Sequence, residues 1–148
     1  MIIDLHTHSL FSDGELCPAE LVQRAKAKGY GVLAISDHTD FSNYKMNLDN
    51  LLAAKEQLDS EEMAVLIGVE ITHVLPRHME SMIFKCREAG AEIIVVHGET
   101  IVEPVEKGTN EAAIKSGADV LAHPGFISAE CVKAAAQKPI FLELTLRR

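Results

Sequence analysis

The sequence predicts an α/β fold of about six parallel strands, and three observations predict it. Short, almost continuously apolar runs recur along the chain, and stretches of helical period separate them. Three junctions, GYGVLAISDH, GAEIIVVHGE and GADVLAHPG, each run from a glycine through an apolar run to a histidine. A strand buried on both faces reads as unbroken apolar sequence, whereas a half-exposed strand alternates. Strands alternating with helices pair in parallel through right-handed crossovers, either as a doubly wound sheet or as a barrel.

The elements follow in order. Strands are expected near IIDLH (2–6), VLAIS (32–36), AVLIGVE (64–70), EIIVVH (92–97), DVLAH (119–123) and IFLEL (140–144). The helix from Pro18 to Lys28 places Leu21, Val22 and Ala25 on one face, with proline at its start and Gly29 after its end. Pro76 to Ala89 repeats the scheme, with Met79, Met82, Ile83 and Cys86 inward and Gly90 closing it. Gly117 closes another helix after Ala113 and Ile114, and less regular helices are expected over 47–60 and 128–137.

A chain of 148 residues with 47% hydrophobic content predicts one domain with a sizeable core. Its formal net charge of -8 argues against sequence-independent nucleic-acid binding, which needs a basic surface to neutralise phosphates. Cys17, Cys86 and Cys131 are odd in number and widely spaced, so neither a disulfide framework nor a cysteine-based zinc site is indicated. The N-terminus shows no basic segment followed by a long apolar one, and no run of about 18 apolar residues occurs. A cytoplasmic protein without a membrane segment is the expectation.

Ligands of parallel α/β folds gather at the carboxyl ends of the strands. There this sequence places His6 and His8, then Asp37 and His38, then Glu70, His97, His123 and Glu143. Singly, each has an ordinary reading as a core histidine, turn former or surface carboxylate. Together, five of the seven histidines share one rim. His6 and His8, two apart on a strand, project to the same side. Imidazoles mixed with carboxylates suit zinc, iron or manganese, and their number exceeds one tetrahedral ion, which predicts at least two metals with Glu70 as a bridge.

In this order, H-T-H, S-D-H, G-V-E, V-H-G and A-H-P-G resemble the PHP (polymerase and histidinol phosphatase) family, from Asp4 to about Thr145. The chain is most similar to the small stand-alone phosphoesterases of that family. The resemblance implies a single PHP domain over 1–148, a distorted (βα)7 barrel, and two to three divalent ions of zinc, manganese or iron. By motif, His6 and His8 would bind one ion, Glu70 would bridge it to a second held by His97 and His123, and His38 with Asp13 would serve a third. Asp37 would orient His38, and His38 or a bound water would assist the leaving group.

The family pattern continues to a seventh strand ending in D-x-H, and this chain stops at Arg148 without it. A truncated sequence is the expectation, with a barrel left incomplete at six strands and an open edge that a homo-oligomer could cover. The function implied is hydrolysis of a small phosphomonoester, histidinol-phosphate-like, by a metal-activated hydroxide. Arg147, Lys45 and His73 are the substrate contacts expected, with His73 a metal contact as the other option; Arg148 shares the position of Arg147 after the sixth strand, Arg77 has the alternative of a solvated first turn, and His78 is read as a surface residue. Two rivals remain: an amidohydrolase-like enzyme for C–N bonds, and a non-catalytic metal-binding or assembly module.

Overall fold

The computed structural model describes residues 1–145. Its strands and helices alternate: β1 (Ile2–Thr7), α1 (Pro18–Ala27), β2 (Tyr30–Ile35), β3 (His38–Thr39), α2 (Tyr44–Leu58), β4 (Ala64–Ile71), α3 (Met79–Glu88), β5 (Ile93–His97), α4 (Thr109–Ser116), β6 (Val120–Ala122), α5 (Ala129–Ala136) and β7 (Phe141–Glu143). A single 3₁₀ turn, Pro76–His78, leads into α3. Every pairing between these strands is parallel, in the order β1-β2-β4-β5-β6-β7. The short β3 continues the line of β2 after a break at Ser36 and Asp37 and pairs the end of β4. Six strand positions therefore lie side by side in chain order, as expected for a barrel wall rather than for a doubly wound sheet.

The two faces of the sheet differ in what covers them. All five helices pack on one face, where Val22, Leu48, Leu51, Met79, Met82, Ile83, Cys86, Ala113, Ile114 and Ala135 meet Leu33, Ile35, Ile67, Val69, Ile94 and Leu121. The other face holds a small cluster of Ala34, Ile93, Val95, Val120 and Ala122 with Leu5 and Leu66 against it. The strands read as continuously apolar because both faces bury side chains, at a period of two. Burying an aliphatic side chain stabilises by roughly 1.5–3 kcal/mol, so the larger cluster dominates the fold.

The sheet is strongly curled. Six strands about 4.8 Å apart would set the first and last roughly 24 Å from each other in a flat sheet. Yet His6 Nδ1 on β1 lies 2.6 Å from Glu143 Oε2 on β7. This is a partial (βα) barrel whose concave rim gathers the strand ends. The edge strands carry exposed apolar residues, Ile2 and Ile3 on β1 and Phe141 on β7.

Some local expectations are corrected. Helix α2 starts three residues before 47, because Asn43 braces the preceding turn through bonds with Asp40 N and His38 O. Gly108 holds the N-cap position of α4, and Glu99 Oε1 accepts from Gly108 N and Asn110 N. A carboxylate there favours the helix N-terminus, where unpaired N–H groups concentrate positive charge.

Candidate metal centre

Glu70, at the end of β4, is the centre of the rim and has no solvent exposure. Its Oε2 lies 3.2 Å from His6 Nε2, 3.2 Å from His8 Nε2 and 2.9 Å from His38 Nδ1, and its Oε1 lies 3.4 Å from His123 Nε2. Despite this crowding, neither oxygen makes an aligned hydrogen bond among the described residues, and His123 Nε2 makes none either. A buried carboxylate left so is costly unless a cation satisfies it. Burial by itself pushes the Glu70 pKa up, but the polar contacts of His123, His38, His6 and His8 overcome it and hold the group well below the usual carboxylate range. It is ionised and facing imidazole nitrogens.

Four imidazoles of the rim are held in orientation through their Nδ1 atoms. His6 Nδ1 pairs with Glu143 Oε2 at 2.6 Å, His8 Nδ1 with Asp13 Oδ1 at 2.6 Å, and His97 Nδ1 with Gly98 O at 3.1 Å. His38 Nδ1 pairs with Thr72 Oγ1 at 2.6 Å, and that hydroxyl donates to Glu70 O at 3.0 Å, so it accepts from the ring. An Nδ1–H donated to oxygen leaves Nε2 as a lone pair, the form in which histidine binds metals. Four histidines of the rim have Nδ1 against an oxygen in this way, so Nε2 is the nitrogen each would offer to a metal once that metal displaces any proton on it. Their spacing fits as well: with bonds of about 2.0–2.1 Å, neighbouring ligands of a tetrahedral ion stand roughly 3.3 Å apart.

Opposing influences tune the ring charges. Burial lowers the His6 pKa, but Glu143 and Glu70 raise it further, to about 10. Burial likewise lowers that of His8, and contacts with Glu70 and Asp13 outweigh it. For His97 burial prevails and the pKa falls. Glu143 is held below its ordinary value by its bond to His6.

Three groups of ligand atoms result, each within 4.8 Å: His6, Glu70 and His123; His8, Asp13 and His38; His73, His97 and Glu103. The sequence expectation paired His6 with His8 and His97 with His123. Both β1 histidines do face the same Glu70 oxygen, but they divide between the first two groups, and His97 falls with His73 and Glu103.

Glycines bring these ends together. Gly98 N donates to Ala122 O at 2.9 Å, and a Cβ there would meet that oxygen at 2.5 Å, so only glycine lets β5 end close against β6. The His97 and His123 rings consequently stand 4.3 Å apart, edge to face. Gly125, at φ +59, sits with its Cβ direction 1.9 Å from Glu99 O.

Other expected residues lie elsewhere. Asp37 does not touch His38: its Oδ1 accepts from Ser9 N at 2.8 Å and Ser12 Oγ at 2.6 Å, and its Oδ2 from Ser9 Oγ at 2.7 Å. It is 1% exposed and fixes the loop that carries Asp13, while Thr72 takes the place beside His38. Lys45 is exposed on α2, bonds Asp49 and does not line the cleft. Arg77 and His78 are exposed on the 3₁₀ turn. Arg147 and Arg148 lie outside the described residues. Glu143 and Glu103 carry contacts that sequence reasoning did not assign. Glu143 was visible as a strand-end carboxylate, whereas Glu103 sits in a loop without periodicity.

The rim opens into a cleft of about 790 Å³. Its lining includes the exposed apolar residues Ile101, Val102, Phe126 and Leu144 beside the carboxylates Asp13, Glu70, Glu103 and Glu143, and no lysine or arginine among the described residues. No helix among the described residues is long and apolar enough to cross a membrane.

Residues 4–100 match the PHP domain family. A protein of Methanocaldococcus jannaschii described as uncharacterized is 50% identical over 151 residues, covering 100% of this chain and 69% of its own length. The 5'-3' exoribonuclease Rnm of Salmonella typhimurium is 30% identical over 173 residues, covering 99% of this chain and 55% of the relative. The 3',5'-nucleoside bisphosphate phosphatase of Chromobacterium violaceum is 53% identical over 36 residues, 24% of this chain and 13% of the relative. This chain spans about half the length of the exoribonucleases it matches. No solved structure matches.

Proposed function

Since this chain belongs to the PHP domain family, we propose that its rim is the centre of a metal-dependent phosphoesterase acting on a small phosphomonoester. The observation that carries this reading is Glu70, a buried carboxylate with both oxygens free of hydrogen bonds inside a ring of imidazole nitrogens. Zinc, manganese and iron match that donor set. His6, His8, Asp13, His38, Glu70, His97 and His123 would hold the ions, and Glu70, with one oxygen toward His6 and His8 and the other toward His123, would be shared between two of them.

The carboxylates of the cleft make the same demand. A phosphate dianion entering beside Asp13, Glu70, Glu103 and Glu143 meets charge of its own sign. Two divalent ions would cancel the charge of those four carboxylates, and a third would reverse its sign. When bound, such ions lower the pKa of water to supply a nucleophile near neutral pH and offset charge on the phosphoryl oxygens. The chain's own residues supply geometry: Glu143, Asp13 and Thr72 lock the rings of His6, His8 and His38, and Asp37 anchors the loop that carries Asp13. The exposed Phe126, with Ile101 and Val102, offers an apolar wall for the leaving group. A volume of 790 Å³ suits a ligand of histidinol-phosphate or nucleotide size.

Phosphate esters are favoured over C–N bonds because the relatives named above as exoribonuclease and bisphosphate phosphatase act on phosphate esters. Turnover is to be compared for histidinol phosphate, a nucleoside 3',5'-bisphosphate, a short 5'-phosphorylated RNA and a cyclic amide. Hydrolysis of at least one phosphomonoester, abolished by chelation, supports the proposal. Hydrolysis of the amide alone, or of none, refutes it, and metal binding without turnover would favour the non-catalytic module.

A further inference from the structure

We propose that Phe126 is a specificity-determining residue of the cleft, a platform on which a planar ring of the substrate's leaving group stacks, so that the site selects phosphomonoesters that carry such a ring. The inference rests on the phosphoesterase reading above and says what that site prefers. Phe126 lines the cleft together with His123 and is 91% exposed. An aromatic side chain left in water forgoes the burial that such residues ordinarily supply to a core. Want of a core is not the cause, because the next residue, Ile127, packs against the larger apolar cluster. The chain turns Ile127 inward and leaves Phe126 in the cleft.

The turn that presents Phe126 is fixed from behind by one buried side chain. Asn110 is 4% exposed; its Nδ2 donates to Pro124 O at 2.8 Å, and its Oδ1 accepts from Glu99 N at 3.0 Å. Glu99 Oε1 in turn accepts from Gly108 N and Asn110 N, and Gly125 lies so close to Glu99 O that no other residue fits there without a shift. The loop after β5 and the turn after β6 are thereby clipped to each other. The first carries Ile101 and Val102 and the second carries Phe126, all three exposed on the wall of the cleft. A ring held on a fixed turn loses little freedom when a ligand settles on it, so the contact keeps most of its strength.

Reach and charge both favour a ring as the occupant. Phe126 follows His123 by three residues, and at about 3.8 Å per residue the two Cα atoms stand no more than roughly 11 Å apart. A ring joined through a few bonds to a phosphate held at the rim covers that span. No lysine or arginine lines the cleft among the described residues, and its carboxylates repel a second anionic group. Recognition of the leaving group therefore falls to apolar contact. An aliphatic alcohol gains only buried area from that wall, whereas an aromatic ring also gains the ring-to-ring attraction of an offset stack.

The test compares wild type, Phe126→Ala and Phe126→Tyr in the full metal-loaded chain. Guanosine 5'-monophosphate and histidinol phosphate carry a ring, and ribose 5-phosphate has the same primary ester as the nucleotide without the base. The ratio of kcat/KM for a ring-bearing substrate to that for ribose 5-phosphate should fall at least about fivefold in Phe126→Ala, the low end of what losing a base-stacking aromatic costs, and should persist in Phe126→Tyr. The substrate whose ratio falls identifies a nucleobase or an imidazole as the ring. Unchanged ratios for both would overturn the proposal. A second readout does not need turnover. The chain has no tryptophan, so Phe126→Trp places a single fluorophore on the exposed turn. Its emission in the zinc-loaded chain should be quenched saturably by at least one ring-bearing compound and not by ribose 5-phosphate; no quenching, or equal quenching by ribose 5-phosphate, would overturn the proposal. Ring-specific quenching in a chain that hydrolyses no phosphoester would refute the phosphoesterase reading and leave the platform standing. Phosphoester hydrolysis with a preference indifferent to Phe126→Ala would do the reverse.

Discussion

His6 and Glu143 meet at 2.6 Å across the rim, joining the first strand of the sheet to the last. The contact does two things. It records the curl that brings the strand ends together, and it holds the His6 ring with Nε2 toward Glu70. Glu143→Ala is therefore expected to weaken metal binding by about 10–100-fold, the usual cost of losing a carboxylate that orients a ligating histidine. Calorimetric titration with zinc checks this; affinity within twofold of wild type would contradict it.

Glu70→Gln is expected to keep the fold and lose the ions of the centre. The amide carries no charge and has only one oxygen to offer a cation where the carboxylate has two. Turnover should fall by at least about 100-fold. Metal analysis and steady-state kinetics on the same preparation check both parts, and normal metal content would contradict the bridging role.

Asp37→Ala should act on stability rather than on His38. Ser9 N, Ser9 Oγ and Ser12 Oγ lose a buried charged acceptor, which costs about 3 kcal/mol. A urea unfolding series measures it. A loss below about 1 kcal/mol would contradict the anchoring role.

Gly125→Ala should also destabilise, because a Cβ would sit 1.9 Å from Glu99 O in a backbone already at φ +59. A cost above about 2 kcal/mol is expected, with displacement of the turn that presents Phe126. Lys45→Ala serves as the contrast. Its side chain pairs with Asp49 away from the cleft, so kcat/KM should stay within about twofold of wild type.

Much of the fold was legible because its causes are local. Runs such as AVLIGVE and EIIVVH announce strands buried on both faces, and Met79, Met82, Ile83 and Cys86 announce the inner face of a helix by their spacing. The strand-end histidines were legible because a parallel fold sends those positions to one rim. The partners of Asp37 were not, since they depend on where the Ser9–Ser12 loop comes to rest after β1 and β2 have paired. Likewise Glu143 is a strand-end carboxylate in the sequence, and only the curl of the sheet makes it the partner of His6. Glu103 lies in a loop without period, where no sequence pattern fixes direction.

The most direct test of the central claim is metal content of the purified chain measured beside phosphomonoester turnover, before and after chelation and after metal is restored. Two or more ions per chain, with turnover that disappears on chelation and returns with metal, is the predicted result. Fewer than two ions, or turnover that survives their removal, would contradict the assignment of this rim as a metal-dependent phosphoesterase centre.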